Sequence, residues 1–164
     1  MRTIRTKVYQ FSELNKPAQE KAINWFLNSF DDSLAWDDIK QDAKEIGLNI
    51  LRLDTHRRND GYFNLSAHEV AANIIRDHGG ECETYKTAQS FLDSVNEIQS
   101  NYPEMEGEEY ESKMIEAEDD FLQSLLEDYR IMLNHQIEYE QSEEFAIENI
   151  EANEYEFKAD GTRF

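Results

Sequence analysis

The stretch EEYESKMIEAEDDFLQSLLEDYRIMLNHQIEYEQ, residues 108–141, decides how this chain folds. Apolar residues recur through it at helical spacing amid dense carboxylates: Met114, Ile115, Phe121, Leu122, Leu125, Leu126, Tyr129, Met132, Leu133 and Ile137. At about 100° per residue these positions cover roughly half the circumference of one long helix, which predicts substantial burial. Glu116, Asp119, Asp120, Glu127 and Glu138 fall on or beside the opposite face as a ridge of carboxylates. Like charges at i, i+4 cost roughly 0.2–0.5 kcal/mol a pair, against about 1.5–3 kcal/mol gained by burying one large apolar side chain. The helix is therefore expected to form in spite of its charge. Glu118 is the misfit, because its wheel angle lies inside the apolar stripe, with Glu111 and Gln136 in similar register. A carboxylate there needs either a thin part of the core, a cation such as Arg57, Arg58 or Arg76, or a partner interface.

The charge is unevenly spread. Residues 101–164 hold 20 Asp and Glu against four Lys and Arg, which is −16 of the chain's −20, while the first hundred residues carry only −4. Such a surface repels nucleic acid and anionic membranes and favours basic protein partners, although acidity alone also confers solubility. Aromatic residues make up 12% of the chain, enough large side chains for a core and unlike a disordered segment. At 164 residues the chain is the size of one domain, and 1–164 is read as a single domain. One cysteine, Cys82, leaves no intramolecular disulfide. With no apolar run near the ~18 residues of a membrane span and no basic-then-apolar leader at Met1, a cytoplasmic protein is expected.

Outward from the long helix, Thr3–Gln10 alternates as a first strand, and Pro17 suits the first turn of a helix with Ala18, Ala22, Trp25, Phe26 and Phe30 on one face. Asp31-Asp32-Ser33 caps a second helix that ends at Gly47. Leu48–Asp54 and Gly61–Leu65 read as strands of a hairpin with its turn at Asn59-Asp60-Gly61. Ser66 caps a third helix, stopped at Gly79-Gly80, and Tyr85 to Ile98 form a fourth. Asn153–Phe157 is a short closing strand followed by a turn at Asp160-Gly161. The fold class is α+β: a helix-rich single domain with a small, mainly antiparallel sheet built from both chain ends and the central hairpin. That closure brings Val8 near Tyr155.

The opening Tyr9–Leu14 with Ala18–Ala22, the run Asp42–Gly47, the segment Glu83–Ala88 and the ending Asn153–Phe157 with Gly161–Phe164 resemble a group of small acidic proteins of phage and prophage genomes. The resemblance spans nearly the whole chain. It implies a phage setting, hence the cytoplasm of a host cell and action on a host macromolecule, and it assigns no catalytic residue.

Catalytic signatures are missing. His68-Glu69 opens like a zinc metalloprotease motif, but Ala72 stands where the second ligand belongs. Asp31, Asp32, Asp37 and Asp38 bracket Trp36 without the spacing of a calcium loop, and they suit helix capping and the helix dipole. His78 and Cys82 are a loose pair. The chain is read as a binding protein rather than an enzyme, with no cofactor and no metal. Carboxylates a turn apart stand roughly 5–6 Å from one another, close to the spacing of phosphates along a strand. The expected function is nucleic-acid mimicry: Glu116, Asp120, Glu127 and Glu138, continued by Glu143, Glu144 and Glu151, bind the basic groove of a host defence or nucleic-acid-handling protein. An antitoxin-like binder of one dedicated partner and a carboxylate-metal enzyme are the alternatives. The Arg57-Arg58 loop stays solvated, pairs with nearby carboxylates, or meets the acidic helix of a second copy.

Overall fold

A computed structural model of the chain describes residues 6–29, 33–54, 57–104 and 106–164. The fold is α+β and helix-rich. Among the described residues there are six α-helices, α1 (Lys16–Asn28), α2 (Ser33–Ile46), α3 (Ala67–Asp77), α4 (Glu83–Asn101), α5 (Glu108–Glu140) and α6 (Glu143–Ala152), and two strands, β1 (Leu48–Arg52) and β2 (Asp60–Phe63). The chain divides into two compact units, Leu34–Asn134 and Met1–Ser33 with His135–Phe164. Helix α5 supplies residues 108–134 to the first and 135–140 to the second.

In the Leu34–Asn134 unit, β1 and β2 form a two-stranded antiparallel sheet in which Leu48 faces Phe63 and Ile50 faces Gly61, with an irregularity between Ile50 and Arg52 that leaves Leu51 exposed. Asp60 already opens β2, so the connection lies before the Asn59-Asp60-Gly61 turn expected from sequence. Asn59 ties the connection down instead, its Oδ1 accepting from the Asp54 backbone N–H at 3.0 Å. Helix α3 starts on a capping box in which the Ser66 hydroxyl accepts from the Glu69 N–H and the Glu69 carboxylate accepts from the Ser66 N–H. Its buried Ala67, Val70, Ala71 and Ile74 pack against α4, where Ala88, Phe91 and Val95 are buried. Small residues at i and i+4 let the two backbones approach. Helix α2 buries Ala35, Ile39, Ala43 and Ile46, the stripe that its spacing predicts.

The other unit is held by α1 and α6 packed together. Its core is Phe11, Leu14, Ala18, Ala22, Ile23, Ala146, Ile150 and Phe157, bordered by Tyr9, Trp25, Phe26, Ile147 and Tyr155. Asn15 caps α1 through its side chain, with Pro17 in the first turn, and Ser142 caps α6. The expected end of the long helix near Gln141 agrees with α5, whereas α6, which starts directly after the break at Gln141-Ser142, is not expected from the sequence. The chain ends meet as isolated antiparallel bridges, Tyr9 with Phe157 and Phe157 with Arg163, and the two-stranded sheet comprises only the hairpin. Phe157 exchanges both backbone hydrogen bonds with Tyr9, at 2.8 and 2.9 Å. Thr3–Arg5 of the expected first strand, together with Phe30, Asp31 and Asp32 of the first interhelical break, lie outside the described residues.

Burial on α5 differs from the half-circumference stripe. Phe121, Leu125, Leu126, Tyr129 and Leu133 are buried, but Ile115 is 67% exposed and Met132 40%. Nothing from Glu108 to Asp120 is buried. The apolar face enters the core only from Phe121 onward, so Glu118 is exposed and needs no compensating cation.

Candidate interaction surface

The first 13 residues of α5 carry seven carboxylates, Glu108, Glu109, Glu111, Glu116, Glu118, Asp119 and Asp120, and all seven are exposed. Lys113 is the one cation in that stretch. It donates to Glu116 at 2.8 Å, and this hydrogen bond holds the Glu116 carboxyl below its usual range. Acidic Glu108, Glu109 and Glu111 occupy the first turn, where the exposed N–H groups favour negative charge. Tyr102, on the short connection from α4, is hydrogen-bonded to Glu109, which pushes its phenol upward, and its ring lies 6.3 Å from that of Tyr110.

In the basic loop, Arg58 pairs with a carboxylate of α5. Its guanidinium grips both oxygens of Asp119, at 2.8 and 2.9 Å, and neighbouring Asn59 donates to Glu127 at 3.1 Å. The β1–β2 connection thus lies along one flank of α5. Both members of the Arg58–Asp119 pair remain more than half exposed, so the pair contributes about 0–1 kcal/mol.

The seven carboxylates expected at the binding surface fall into different settings. Glu116 and Asp120 are exposed one turn apart on α5, in the Leu34–Asn134 unit. Glu127, in the same unit, is half-buried and engaged internally: the Arg130 guanidinium binds both its oxygens, with Asn59 added, and its carboxyl is held below the usual range chiefly by the Arg130 hydrogen bonds. Glu138, Glu143, Glu144 and Glu151 are exposed and belong to the other unit, the middle two in the first turn of α6.

A groove of about 510 Å³ runs between α4 and the exposed part of α5. Phe91 and Phe121, stacked with centroids 4.4 Å apart, sit at its base, and Ile98 and Ala117 continue it. Thr87, Ser90, Ser94 and Ser124 supply hydroxyls, Lys86 and Lys113 ammonium groups, and Glu116 and Asp120 carboxylates. Lys86 is already paired with Glu83 at 2.7 Å, as Lys113 is with Glu116. Sequence reading identified Asp120 and Glu116 but not the α4 side. The signal there was the run of small hydroxyl residues at Ser90 and Ser94 beside the core positions Phe91 and Val95, which keeps the helix flank low.

A partly buried polar cluster links the helices of the Leu34–Asn134 unit. The buried Tyr129 hydroxyl donates to Asp42 at 2.8 Å, the His78 Nδ1 is 2.8 Å from the Thr84 hydroxyl, and its Nε2 is 3.9 Å from Asp42. Thr87 donates to Asp128, whose carboxyl burial pushes upward. Thr84 is fully buried, and this carboxylate, imidazole and hydroxyl stitch α2, α3, α4 and α5 together, with the Asp42 side chain still 46% exposed. Among the described residues no group of three or more His, Cys, Asp and Glu is placed to hold a metal ion, and no helix is long and apolar enough to cross a membrane. His68 packs edge-on against Phe91, and Asp37 and Asp38 are exposed on α2. No family model, curated protein or solved structure matches the chain.

Proposed function

We propose that this chain is a binding protein that presents the acidic first half of α5 to a basic, nucleic-acid-binding surface of a partner protein and so excludes the nucleic acid. The observation that carries the reading is the seven exposed carboxylates within 13 residues of one helix, fixed by the backbone and answered locally by Lys113 and Arg58. A helix holds these charges a turn apart without further ordering cost on binding, unlike a disordered acidic tail. Glu116 and Asp120 are the primary contacts. Glu127 contributes less because Arg130 already occupies it, and Glu138, Glu143, Glu144 and Glu151 form acidic surface on the other unit. The resemblance to small acidic phage and prophage proteins supports a host nucleic-acid-handling or defence protein as the target and the host cytoplasm as the setting.

The test is capture of bacterial lysate proteins on the immobilised chain, eluted with duplex DNA and, in parallel, with rising salt. Nucleic-acid-binding proteins should be retained, released by DNA, and lost when Glu116, Glu118, Asp119 and Asp120 are changed together to Lys. Retention indifferent to DNA, to salt and to that charge reversal would end the proposal.

A further inference from the structure

We infer that the groove between α4 and α5 receives an arginine-bearing segment of the basic partner, with the guanidinium on Asp120; this rests on the proposed function and gives that surface its specific contact. The chain supplies the precedent on an adjoining flank of the same helix stretch, where Arg58 grips both oxygens of Asp119. Asp119 and Asp120 are about 100° apart around α5, so the two carboxylates face different flanks. One flank is closed by the chain's own arginine loop, and the other opens on the groove.

Of the four charged side chains lining the groove, Lys86, Lys113 and Glu116 are already in ion pairs, which leaves the Asp120 carboxylate for an incoming cation. The two lysines are each hydrogen-bonded to a glutamate. Asp120 has no ion-pair partner among the described residues, and it stands beside the stacked Phe91 and Phe121 rings. The hydroxyls of Ser90 and Ser124 line the same groove and accept hydrogen bonds as readily as they donate them. A guanidinium carries five N–H donors in a planar fork, which suits a carboxylate flanked by hydroxyl acceptors better than the point charge of lysine. The groove volume, about 510 Å³, accommodates a short segment as well as the arginine side chain.

The experiment measures anisotropy of a labelled 14-residue amphipathic peptide with four arginines on one face, against the intact chain and variants, with the all-lysine peptide as comparison. Asp120→Asn should weaken binding about tenfold, the loss expected for one charge-assisted hydrogen-bonded pair. Ser94→Trp, which fills the groove without changing charge, should weaken it at least as much. Glu111→Gln and Glu118→Gln, on the same acidic surface but outside the groove, should each weaken it less than Asp120→Asn does, and the lysine peptide should bind several-fold more weakly. Unchanged circular dichroism and melting temperature show that each variant is folded. If Ser94→Trp has no effect while every charge removed costs the same, the groove proposal is overturned and the acidic-surface reading survives. If neither peptide binds at low salt, both fall.

Discussion

The contact between Gly161 and α1 gives the most demanding test of the packing. Gly161 has φ +80°, and a Cβ placed on it would stand 2.1 Å from the Ala18 carbonyl oxygen and 2.8 Å from the carbonyl carbon. Gly161→Ala therefore meets two costs. The left-handed backbone costs an alanine about 1–2 kcal/mol, and pushing helix backbone aside costs roughly 1–3 kcal/mol more, as overpacking does. The lower entropy of the unfolded alanine chain returns about 0.4–1 kcal/mol. The net expectation is a loss of about 2–4 kcal/mol. Gly107 serves as the control, since it too has a positive φ, +104°, but nothing lies within 4 Å of its Cβ position. Gly107→Ala should cost only about 1 kcal/mol or less. Trp25 reports on the Gly161 region: its ring makes edge contacts with Tyr155 and Phe157, and the Arg163 guanidinium lies 4.8 Å above it. Trp36 is the only other tryptophan, so a Trp36→Phe background isolates the signal. With a urea slope of about 1 kcal/mol/M, the Gly161→Ala midpoint should fall by about 2 M or more. A shift no larger than that of Gly107→Ala would refute the contact with Ala18.

Two further predictions follow from the same structure. Lys21 and the Thr162 backbone and side chain hold the Asp160 carboxyl far below the usual range, the Lys21 hydrogen bond first. A depressed folded-state value means stabilisation that is complete above the ordinary aspartate range, about 4, and lost as pH falls below it; the stability difference between wild type and Asp160→Asn should therefore be flat above about pH 5 and shrink below 4. On α5, Leu125→Ala should cost about 2–5 kcal/mol, because Leu125 is fully buried, whereas Ile115→Ala should stay within about 0.5 kcal/mol. Chemical denaturation of both decides whether the apolar stripe enters the core at Phe121.

Much of the fold was legible in the residues. Ser66 as a helix cap, Pro17 in a first helical turn, and the i, i+4 pairs of α2 and α3 each specify one local structure, and the structure follows them. What failed was any inference needing to know where neighbours stop. Met114 and Ile115 share the wheel face of Phe121 and Leu125, yet periodicity shows which side of a helix can be buried and not how far its partners extend along it. The same gap produced the puzzle of Glu118. Local chemistry was also overridden at Asn59-Asp60-Gly61, where a turn sequence serves the start of β2 and Asn59 works through its side chain. For the candidate surface, the carboxylates were legible as residue types. Their availability was not, because Glu127 is taken by Arg130 and Asp119 by Arg58, and the second of those contacts joins residues 61 positions apart.

Because no side chain from Glu108 to Asp120 is buried, this part of α5 carries almost none of the constraint that packing places on the rest of the helix. Leu125 or Tyr129 can change only to something of the same shape. Around Glu111 or Glu118 a mutation is nearly free as long as the backbone stays helical, so random drift would soon dilute the carboxylates with neutral residues. If the proposed surface works through charge alone, then in divergent copies of the gene the number of acids there should persist while their individual positions wander.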